Sequence, residues 1–155
     1  MTTSHEARLK ALNIELPNPA APAANYVPYT ISGKTLYVAG QITLWNGELK
    51  YLGKLGADME VAQGVEAARL CGLNLIAQAR HAAGGSLDNI KQVLKLGGFV
   101  NCTPDFIQHP VVVNGASDLM VQVFGDAGKH ARFAVGAVSL PRGVAVEVDA
   151  IFELV

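Results

Sequence analysis

The C-terminal segment, residues 130–155, constrains the fold of this chain more than any other part of it. Two apolar runs in this segment flank Pro141-Arg142-Gly143, and proline and glycine between apolar runs are typical of a turn between two β-strands. We therefore expect a β-hairpin whose first strand carries Arg132 near its start. The second strand would carry acidic residues among valines and alanines.

Alternation along the second strand predicts which of its side chains lie together, because successive side chains of a strand point to opposite faces of the sheet. One face receives the acidic residues and the other only apolar ones: Glu147, Asp149, Ile151 and Glu153 against Val146, Val148, Ala150 and Phe152. An arginine entering one strand and a carboxylate within its neighbour suit a site for a small molecule that itself carries a carboxylate.

The composition predicts one domain, residues 1–155, with more apolar surface than the core of a single domain buries. Of the 155 residues, 50% are hydrophobic and 16% are charged, and a chain of this length is large enough for a proper core. The expected helices and strands are apolar on more than one face. We therefore expect part of this surface to be buried against another subunit.

Charge and cysteine usage exclude several classes of function. The net charge of −1 gives no basic footprint for nucleic acid. Cys71 and Cys102 stand far apart, with no Cys-x-x-Cys and no ligand-spaced histidines, so neither a disulfide framework nor a metal site is expected. No signal peptide and no membrane-spanning apolar run is recognised, so a cytoplasmic protein that does not bind membranes is expected.

A short N-terminal helix and a connector are expected over residues 1–24. Ser4 is a good N-cap, so the helix is predicted to run from Ser4 to Asn13. The prolines and alanines of residues 17–24 break regular structure. Strands are then predicted over residues 26–31 and 35–41, joined by a hairpin turn at 32–34. A second turn is predicted at Asn46-Gly47, between residues 42–45 and 48–51.

Two helices and a further strand are predicted in the middle of the chain. The first helix is predicted over residues 58–83, with Asp58 as its cap and Gly84-Gly85 at its end. A central strand follows over residues 90–102. The second helical region opens at Thr103, is interrupted at His109-Pro110 and continues over residues 112–124. The order, β-β-β-α-β-α-β-β after a short N-terminal helix, predicts an α+β domain. In such a domain two helices pack on one face of a mixed sheet.

Several dipeptides and their spacing point to a known family: Pro28-Tyr29, Gly40-Gln41, Asn114, Ala131-Arg132, Leu140-Pro141 and Val146-Glu147-Val148. Each is weak alone, but the separation of Arg132 and Glu147 with Leu-Pro between them is specific. From Pro28 onward the chain resembles the RidA/YjgF family. It is more similar to the family's longer branch, which has an extra N-terminal helix and is marked by residues 114–119 and 128–132.

The resemblance implies a chorismate-mutase-like fold assembled as a homotrimer, with sites in clefts between subunits. Family members of the RidA type hydrolyse reactive imines or enamines, such as 2-aminoacrylate, to 2-keto acids and ammonia. They use no metal or organic cofactor. The resemblance therefore implies a small, carboxylate-bearing substrate for this chain.

Arg132 and Glu147 are the candidate catalytic residues. The guanidinium of Arg132 can grip an α-carboxylate with two hydrogen bonds; the alternative is a structural salt bridge to Glu147 or Asp149. Glu147 can orient a water for addition to the C=N carbon and then pass protons to the leaving ammonia. Beside an arginine it can do so only if desolvation offsets the lowering of its pKa; otherwise it is a solvated or paired strand acid.

Further positions are candidates for binding the substrate. Tyr29 matches the family's tyrosine after proline, although it or Tyr26 could be ordinary core. Asn114 could hydrogen-bond the substrate, brace Arg132 or cap a helix. Ser117 and Asp118 could line the same wall, although a capping or surface position is favoured for both. His130 is expected to be structural.

Three departures from the family pattern alter the expected pocket. Ala39 stands where many active members have a serine before Gly-Gln, and Ala134 stands where some carry a cysteine. Phe133 is bulkier than usual after the arginine and could narrow the pocket. These departures favour, as an alternative to imine hydrolysis, a trimer that binds small carboxylate metabolites without catalysis. A ribonuclease or translation inhibitor is a third reading, against which the charge argues.

Overall fold

The computed structural model describes residues 4–22 and 24–155 of the chain. Its helices are α1 (His5–Ala11), α2 (Val61–Ala82) and α3 (His109–Phe124). Its strands are β1 (Tyr29–Ser32), β2 (Thr35–Gln41), β3 (Leu44–Trp45), β4 (Glu48–Leu49), β5 (Ile90–Asn101), β6 (Ala131–Ala137) and β7 (Val146–Leu154). Four strands precede α2 instead of three, because the short β3 and β4 form a two-stranded sheet of their own.

The main sheet has five strands in the order β1-β2-β7-β5-β6. All neighbours are antiparallel except β5 and β6, which are parallel. Helices α2 and α3 pack against each other, and they cover β7 and β5 from one side. The predicted α+β fold, with two helices on one face of a mixed sheet, is confirmed.

The predicted alternation along β7 is also confirmed. Four apolar side chains are buried under the helices: Val146, Val148, Ala150 and Phe152. On the opposite face, Glu147 and Ile151 are half-buried and Asp149 is exposed. The sheet therefore has a helix-covered face and an open face, and the acidic residues lie on the open one.

The predicted hairpin between the last two strands is wrong. Strands β6 and β7 are not neighbours, because β5 lies between them and pairs with both. The chain leaves β6, makes a turn at Pro141–Gly143 and crosses the end of β5, where the backbone N–H of Asn101 donates to the carbonyl of Ala145 at 2.9 Å. A turn sequence indicates where a strand ends, but it does not indicate which strand lies alongside.

The first two helices differ in how well their caps were predicted. Ser4 caps α1 by accepting a hydrogen bond from the N–H of Ala7 at 2.9 Å, as expected. Asp58 does not cap α2, because its carboxylate accepts instead from the N–H of Lys54 at 2.7 Å. The N-cap is Glu60, whose own N–H donates to the side chain of Gln63 at 2.9 Å.

Helix α3 begins later than predicted and is not interrupted. Residues 103–108 have no helical structure apart from a turn at 104–105, and Pro110 lies in the first turn of the helix. Proline is well tolerated there, because that N–H has no partner within the helix. Asn114 consequently lies inside α3 and is not a cap. No helix of the described residues is both long and apolar enough to cross a membrane.

Candidate functional site

Arg132 lies on the edge strand β6 and points to the helix-covered side of the sheet. It is in register with Leu96 of β5, which is fully buried under the helices. Its Nη1 donates to Ser117 Oγ at 3.0 Å, and its Nη2 donates to the carbonyl of Pro110 at 3.1 Å. Both acceptors belong to α3, so this helix holds the guanidinium in place.

A short chain of hydrogen bonds continues behind Arg132. The Nδ1 of His130 lies 2.6 Å from the carbonyl of Gly128, and its Nε2 lies 2.8 Å from Ser117 Oγ. A carbonyl only accepts, so Nδ1 carries the hydrogen, and in the neutral ring Nε2 accepts from the hydroxyl of Ser117. The lone pairs of Ser117 are then left to accept from Arg132. His130 therefore orients Ser117.

Arg132 is not committed to an acidic partner. The ion pairs found among the described residues are Arg80–Glu6, Lys91–Glu153 and Lys129–Asp126. The expected alternative of a salt bridge from Arg132 to Glu147 or Asp149 is therefore not formed. Its two recorded bonds go to neutral oxygens, so donors remain for an anion on a guanidinium that is already oriented.

Glu147 lies on the open face of the sheet, in a cavity of about 260 Å³. An ideal Cβ on Gly40 would lie only 2.6 Å from Glu147 Oε1, so the absence of a side chain at this position leaves room for the carboxylate. The other residues around the cavity come from the N-terminal connector, the end of β2, β3, helix α2 and the turn before β7. They include Pro22, Tyr26, Pro28, Gln41, Pro141 and Arg142.

The surroundings of Glu147 favour its protonated form. Burial raises the pKa of this carboxyl above its ordinary value, and the negative charge of Asp149 on the same face raises it further. Partial desolvation of its carboxyl group likewise raises the pKa of Asp149, although the residue as a whole is exposed. A carboxyl group with a raised pKa can both accept a proton from water and return it, which is what a general acid/base requires.

Arg132 and Glu147 are not brought together within one chain. Glu147 is in register with Phe99 and points to the open face, whereas Arg132 points to the helix-covered face on the far side of β5. The expectation that they lie on neighbouring strands is therefore wrong. The arginine that lines the Glu147 cavity is Arg142, which the sequence reasoning missed.

The backbone conformation of Arg142 is unusual for an arginine. The residue lies between Pro141 and Gly143 with a φ of 58°, in the left-handed region that few residues other than glycine and asparagine adopt. A charged residue that occupies this region in a tight turn is held there by the turn. The sequence Pro-Arg-Gly could have drawn attention to it.

Tyr29 does not line the Glu147 cavity. Its hydroxyl is 2.9 Å from Nδ1 of His81, at the end of α2, and the two rings are 5.9 Å apart. Pro28 and Tyr26 line the cavity in its place. Tyr29 also packs against the hydrophobic core, so in this chain its phenol is partly occupied by a structural contact.

The departures from the family pattern fall on different faces. Ala39 lies where the register of β2 with β7 shifts, and its N–H donates to the carbonyl of Pro28 at 2.9 Å. Ala134 is in register with Gly98 on the same face as Arg132. Phe133 lies on the open face against Phe99, with ring centroids 5.3 Å apart. Within one chain Phe133 therefore cannot narrow the surroundings of Arg132.

Asn114 and Ser117 are three residues apart on α3 and so lie on one stripe of the helix. Asn114 is exposed, and the bracing of Arg132 comes from Ser117 and Pro110. The contribution of the Pro110 carbonyl has no signature in the sequence. Within the described part of the chain, no three His, Cys, Asp or Glu side chains are grouped as metal ligands.

Comparisons with known proteins agree with this architecture. Residues 6–153 match the family model described as "YjgF/chorismate_mutase-like, putative endoribonuclease". The chain is 50% identical to Protein TCP17 of Trypanosoma cruzi over 96% of its own length and 92% of that protein. The crystal structure of Atu1372 from Agrobacterium tumefaciens, described as having unknown function, is 47% identical, with a TM-score of 0.90. The match covers 97% of this chain and 92% of that one.

A more distant structure shares the fold. TdcF of E. coli, crystallised with bound serine, is 22% identical with a TM-score of 0.61, over 90% of this chain and 94% of that one. The family model spans nearly the whole described chain, and TCP17 and Atu1372 are similar over almost their full lengths. The chain therefore belongs to the YjgF/chorismate mutase-like (RidA) family.

Proposed function

We propose that this protein hydrolyses small 2-imino acids, and the enamines that tautomerise to them, to 2-keto acids and ammonia. The observation that carries the proposal is the state of Arg132. Its guanidinium is oriented by Ser117 and Pro110 but forms no ion pair among the described residues. Such a group is suited to bind the α-carboxylate of a substrate.

The site is proposed to form between two subunits of a homotrimer. Arg132 and Glu147 leave the sheet of one chain on opposite faces, so a site that uses both needs a second copy. The edge strand β6 has no partner strand on its outer side among residues 4–22 and 24–155. The open face carries exposed apolar side chains such as Tyr37. Both features suit association between copies of the chain.

Glu147 is proposed to handle the protons of the reaction. It takes a proton from a water molecule, whose oxygen adds to the imine carbon, and the nitrogen is protonated as the C=N bond becomes a single bond. Collapse of the carbinolamine breaks the C–N bond and releases ammonia and the 2-keto acid. The raised pKa of Glu147 supports this cycle, because the same carboxyl must accept and donate within one turnover.

The serine bound by TdcF has an α-carboxylate, the group that this proposal assigns to Arg132. The test is a hydrolysis assay with imines generated in place by an amino-acid oxidase, in which semicarbazide traps the imine that remains. Arg132→Ala should abolish the protein-dependent loss of trapped imine. Arg69→Ala is the matched control, because Arg69 is a half-buried arginine that bonds a neutral side chain, Gln122, at 3.2 Å. Undiminished hydrolysis by Arg132→Ala would refute the proposal.

A second function is favoured by a specific observation. Ala39 and Ala134 bring no hydroxyl or thiol, and Tyr29 is engaged by His81, which leaves fewer polar groups for catalysis. We propose as the alternative a binder of small 2-keto acids that does not turn them over. Calorimetry with 2-ketobutyrate would then show saturable, Arg132-dependent binding while the imine assay stays silent. Ribonuclease activity, which the family description names, is not favoured, because a net charge of −1 supplies no overall positive charge to attract nucleic acid.

A further inference from the structure

A second cavity, separate from Glu147, lies beyond the end of β5 and has a volume of about 500 Å³. Its walls include two side chains that can react, Cys102 and His109, and one cation, Lys54. The remaining walls are largely apolar and include Phe106, Ala137 and Val138. Neither the sequence motifs of the family nor the proposed deamination uses these residues.

Cys102 and His109 form a thiol–imidazole pair. Cys102 Sγ lies 3.4 Å from His109 Nε2, and the ring of Phe106 holds the imidazole edge-on at 5.3 Å. An imidazole at this distance can take the proton of the thiol, and the resulting thiolate is the nucleophilic form of cysteine. The side chain of Cys102 is 9% exposed and faces the cavity.

Gly136 of the neighbouring strand β6 leaves the space in which Cys102 and His109 meet. An ideal Cβ on Gly136 would lie 2.8 Å from Cys102 Sγ and 2.9 Å from His109 Nε2. Any side chain at position 136 would therefore push the two groups apart or fill the space beside them.

Lys54 places a fixed positive charge on the same wall. Its Nζ donates to Asn101 Oδ1 at 2.8 Å, to the carbonyl of Val138 and, more weakly, to the carbonyl of Cys102 at 3.5 Å. None of these acceptors is a carboxylate, so the charge of the ammonium is not neutralised by them. A cation in a largely apolar cavity stabilises a thiolate, and also the negative oxygen that forms when a thiolate adds to a conjugated carbonyl.

The other cysteine of the chain shows what an unreactive thiol looks like here. Cys71 is fully buried in the core, and its thiol lies 3.4 Å from the carbonyl of Val146. Burial raises the pKa of the Cys71 thiol far above its ordinary value. Cys71 therefore serves as an internal control for any reagent that reaches Cys102.

We propose that Cys102 is a nucleophile that captures small α,β-unsaturated carbonyl compounds in this cavity. Sγ forms a bond to the β-carbon, the π pair of the C=C bond becomes the new bond between the α-carbon and the carbonyl carbon, and the π pair of the C=O bond moves to oxygen to give an enolate. The C=O bond then re-forms as the proton held by His109 is delivered to the α-carbon. The product is a thioether. The addition has no leaving group and needs no oxidant or reductant. Gly136, which lines this cavity, lies about 13 Å along β6 from Arg132 at ~3.3 Å per residue. The proposal does not depend on imine hydrolysis.

The test measures addition of acrylamide, an α,β-unsaturated amide, to the native full-length protein by intact mass and peptide mapping. One adduct is expected, at Cys102, and it should be lost in Cys102→Ser and retained in Cys71→Ser. His109→Gln should lower the rate constant at about pH 7 by roughly tenfold or more, because the base is removed. Gly136→Ala should slow addition to a similar extent.

Three results would overturn the proposal: no adduct at Cys102 in the folded protein, an unchanged rate in His109→Gln, or an adduct at Cys71 that forms as fast. Loss of folding in a variant is recognised independently, because unfolding exposes Cys71 and adds a second adduct. A slow single adduct in His109→Gln therefore reports the missing imidazole and supports the proposal. Imine hydrolysis by Cys102→Ser should remain unchanged, which separates this site from the proposed deaminase site.

Discussion

The side chains of Arg132 and Glu147 leave the sheet on opposite faces, and the strand β5 lies between their two strands. Arg132 is oriented by α3 on the helix-covered side, whereas Glu147 faces a cavity next to Gly40 on the open side. Two residues placed in this way cannot act on one small molecule unless they come from different chains. This geometry makes the subunit composition of the site testable.

Mixing two inactive variants should restore activity if the site is shared between subunits. Arg132→Ala and Glu147→Gln are each expected to be inactive in the imine assay. When the two are unfolded together and refolded in equal amounts, about one quarter of the interfaces in a random cyclic trimer combine an intact Arg132 with an intact Glu147. The expected activity is about that fraction of wild type.

The control is the same two proteins mixed without unfolding, which should stay inactive. A light-scattering mass should accompany both samples. If the refolded mixture has the mass of an oligomer but no activity, the site lies within one chain. Arg142, which lines the Glu147 cavity, would then be the arginine to test.

The sequence predicts which face of the sheet a side chain occupies better than it predicts which strands are paired. Alternation along β7 correctly separated Glu147 from Val146 and Val148, because the period of two is a local property of a strand. The partner of β6 is β5, which lies far back in the chain. Nothing in residues 130–155 encodes that pairing, so the nearest apolar run, β7, was paired with β6 instead.

The candidate site shows the same division. The sequence pointed to Arg132 and Glu147 as residues of interest, but it could not show that Pro110 and Ser117 brace the arginine. The carbonyl of Pro110 reaches Arg132 only because α3 begins at His109. Likewise, the sequence favours Asp58 as the cap of α2, but its carboxylate accepts from the N–H of Lys54 and Glu60 is the N-cap.

Ser117→Ala should weaken substrate binding. It removes the acceptor of Arg132 Nη1 and the partner of His130, and a lost hydrogen bond to a charged group costs about 1.5–3 kcal/mol. We expect the KM for an imino acid to rise by roughly tenfold, with a smaller change in kcat. The matched control is Asp118→Ala, the exposed neighbouring residue of the same helix; an equal effect there would contradict a specific brace.

The acidic limb of the pH–rate profile should report Glu147. As a base it must be ionised, and its pKa is raised by burial and by Asp149, so kcat/KM should fall at a higher pH than for an ordinary glutamate. Asp149→Asn removes the neighbouring negative charge and should shift this limb to lower pH. Glu153→Gln is the control, since Glu153 bonds Lys91 and Gln92 at the other end of β7. If the acidic limb of kcat/KM lies at the same pH in Asp149→Asn as in the wild type, Glu147 is not the base that this limb reports.

The same raised pKa predicts that Glu147 destabilises the folded protein at neutral pH. The folded state binds this proton more tightly than the unfolded state, so stability falls as pH rises from the ordinary pKa of the group through its raised value. Glu147→Gln should therefore raise the Tm by a few degrees at about pH 8 and leave it nearly unchanged at about pH 4. Thermal unfolding of both proteins at the two pH values checks this, and a Tm lowered at both would contradict it.

Gly40→Ala should lower activity far more than stability. The new Cβ would lie 2.6 Å from Oε1 and 3.2 Å from Cδ of Glu147, so the carboxylate must move, whereas the end of a long side chain can move at little cost to folding. A displacement of about 1 Å in a catalytic group can cost roughly a hundredfold in rate. We expect kcat to fall by about ten- to a hundredfold while the Tm changes little.

A double-mutant cycle separates this cause from general damage to the β2 bulge. If Gly40→Ala acts by displacing the Glu147 carboxylate, it should have no further effect in the Glu147→Gln background, where that carboxylate is absent. The double variant should then retain the residual rate of Glu147→Gln alone. A further drop of similar size in that background would show that Gly40 matters for the backbone of the site and not for the placement of Glu147.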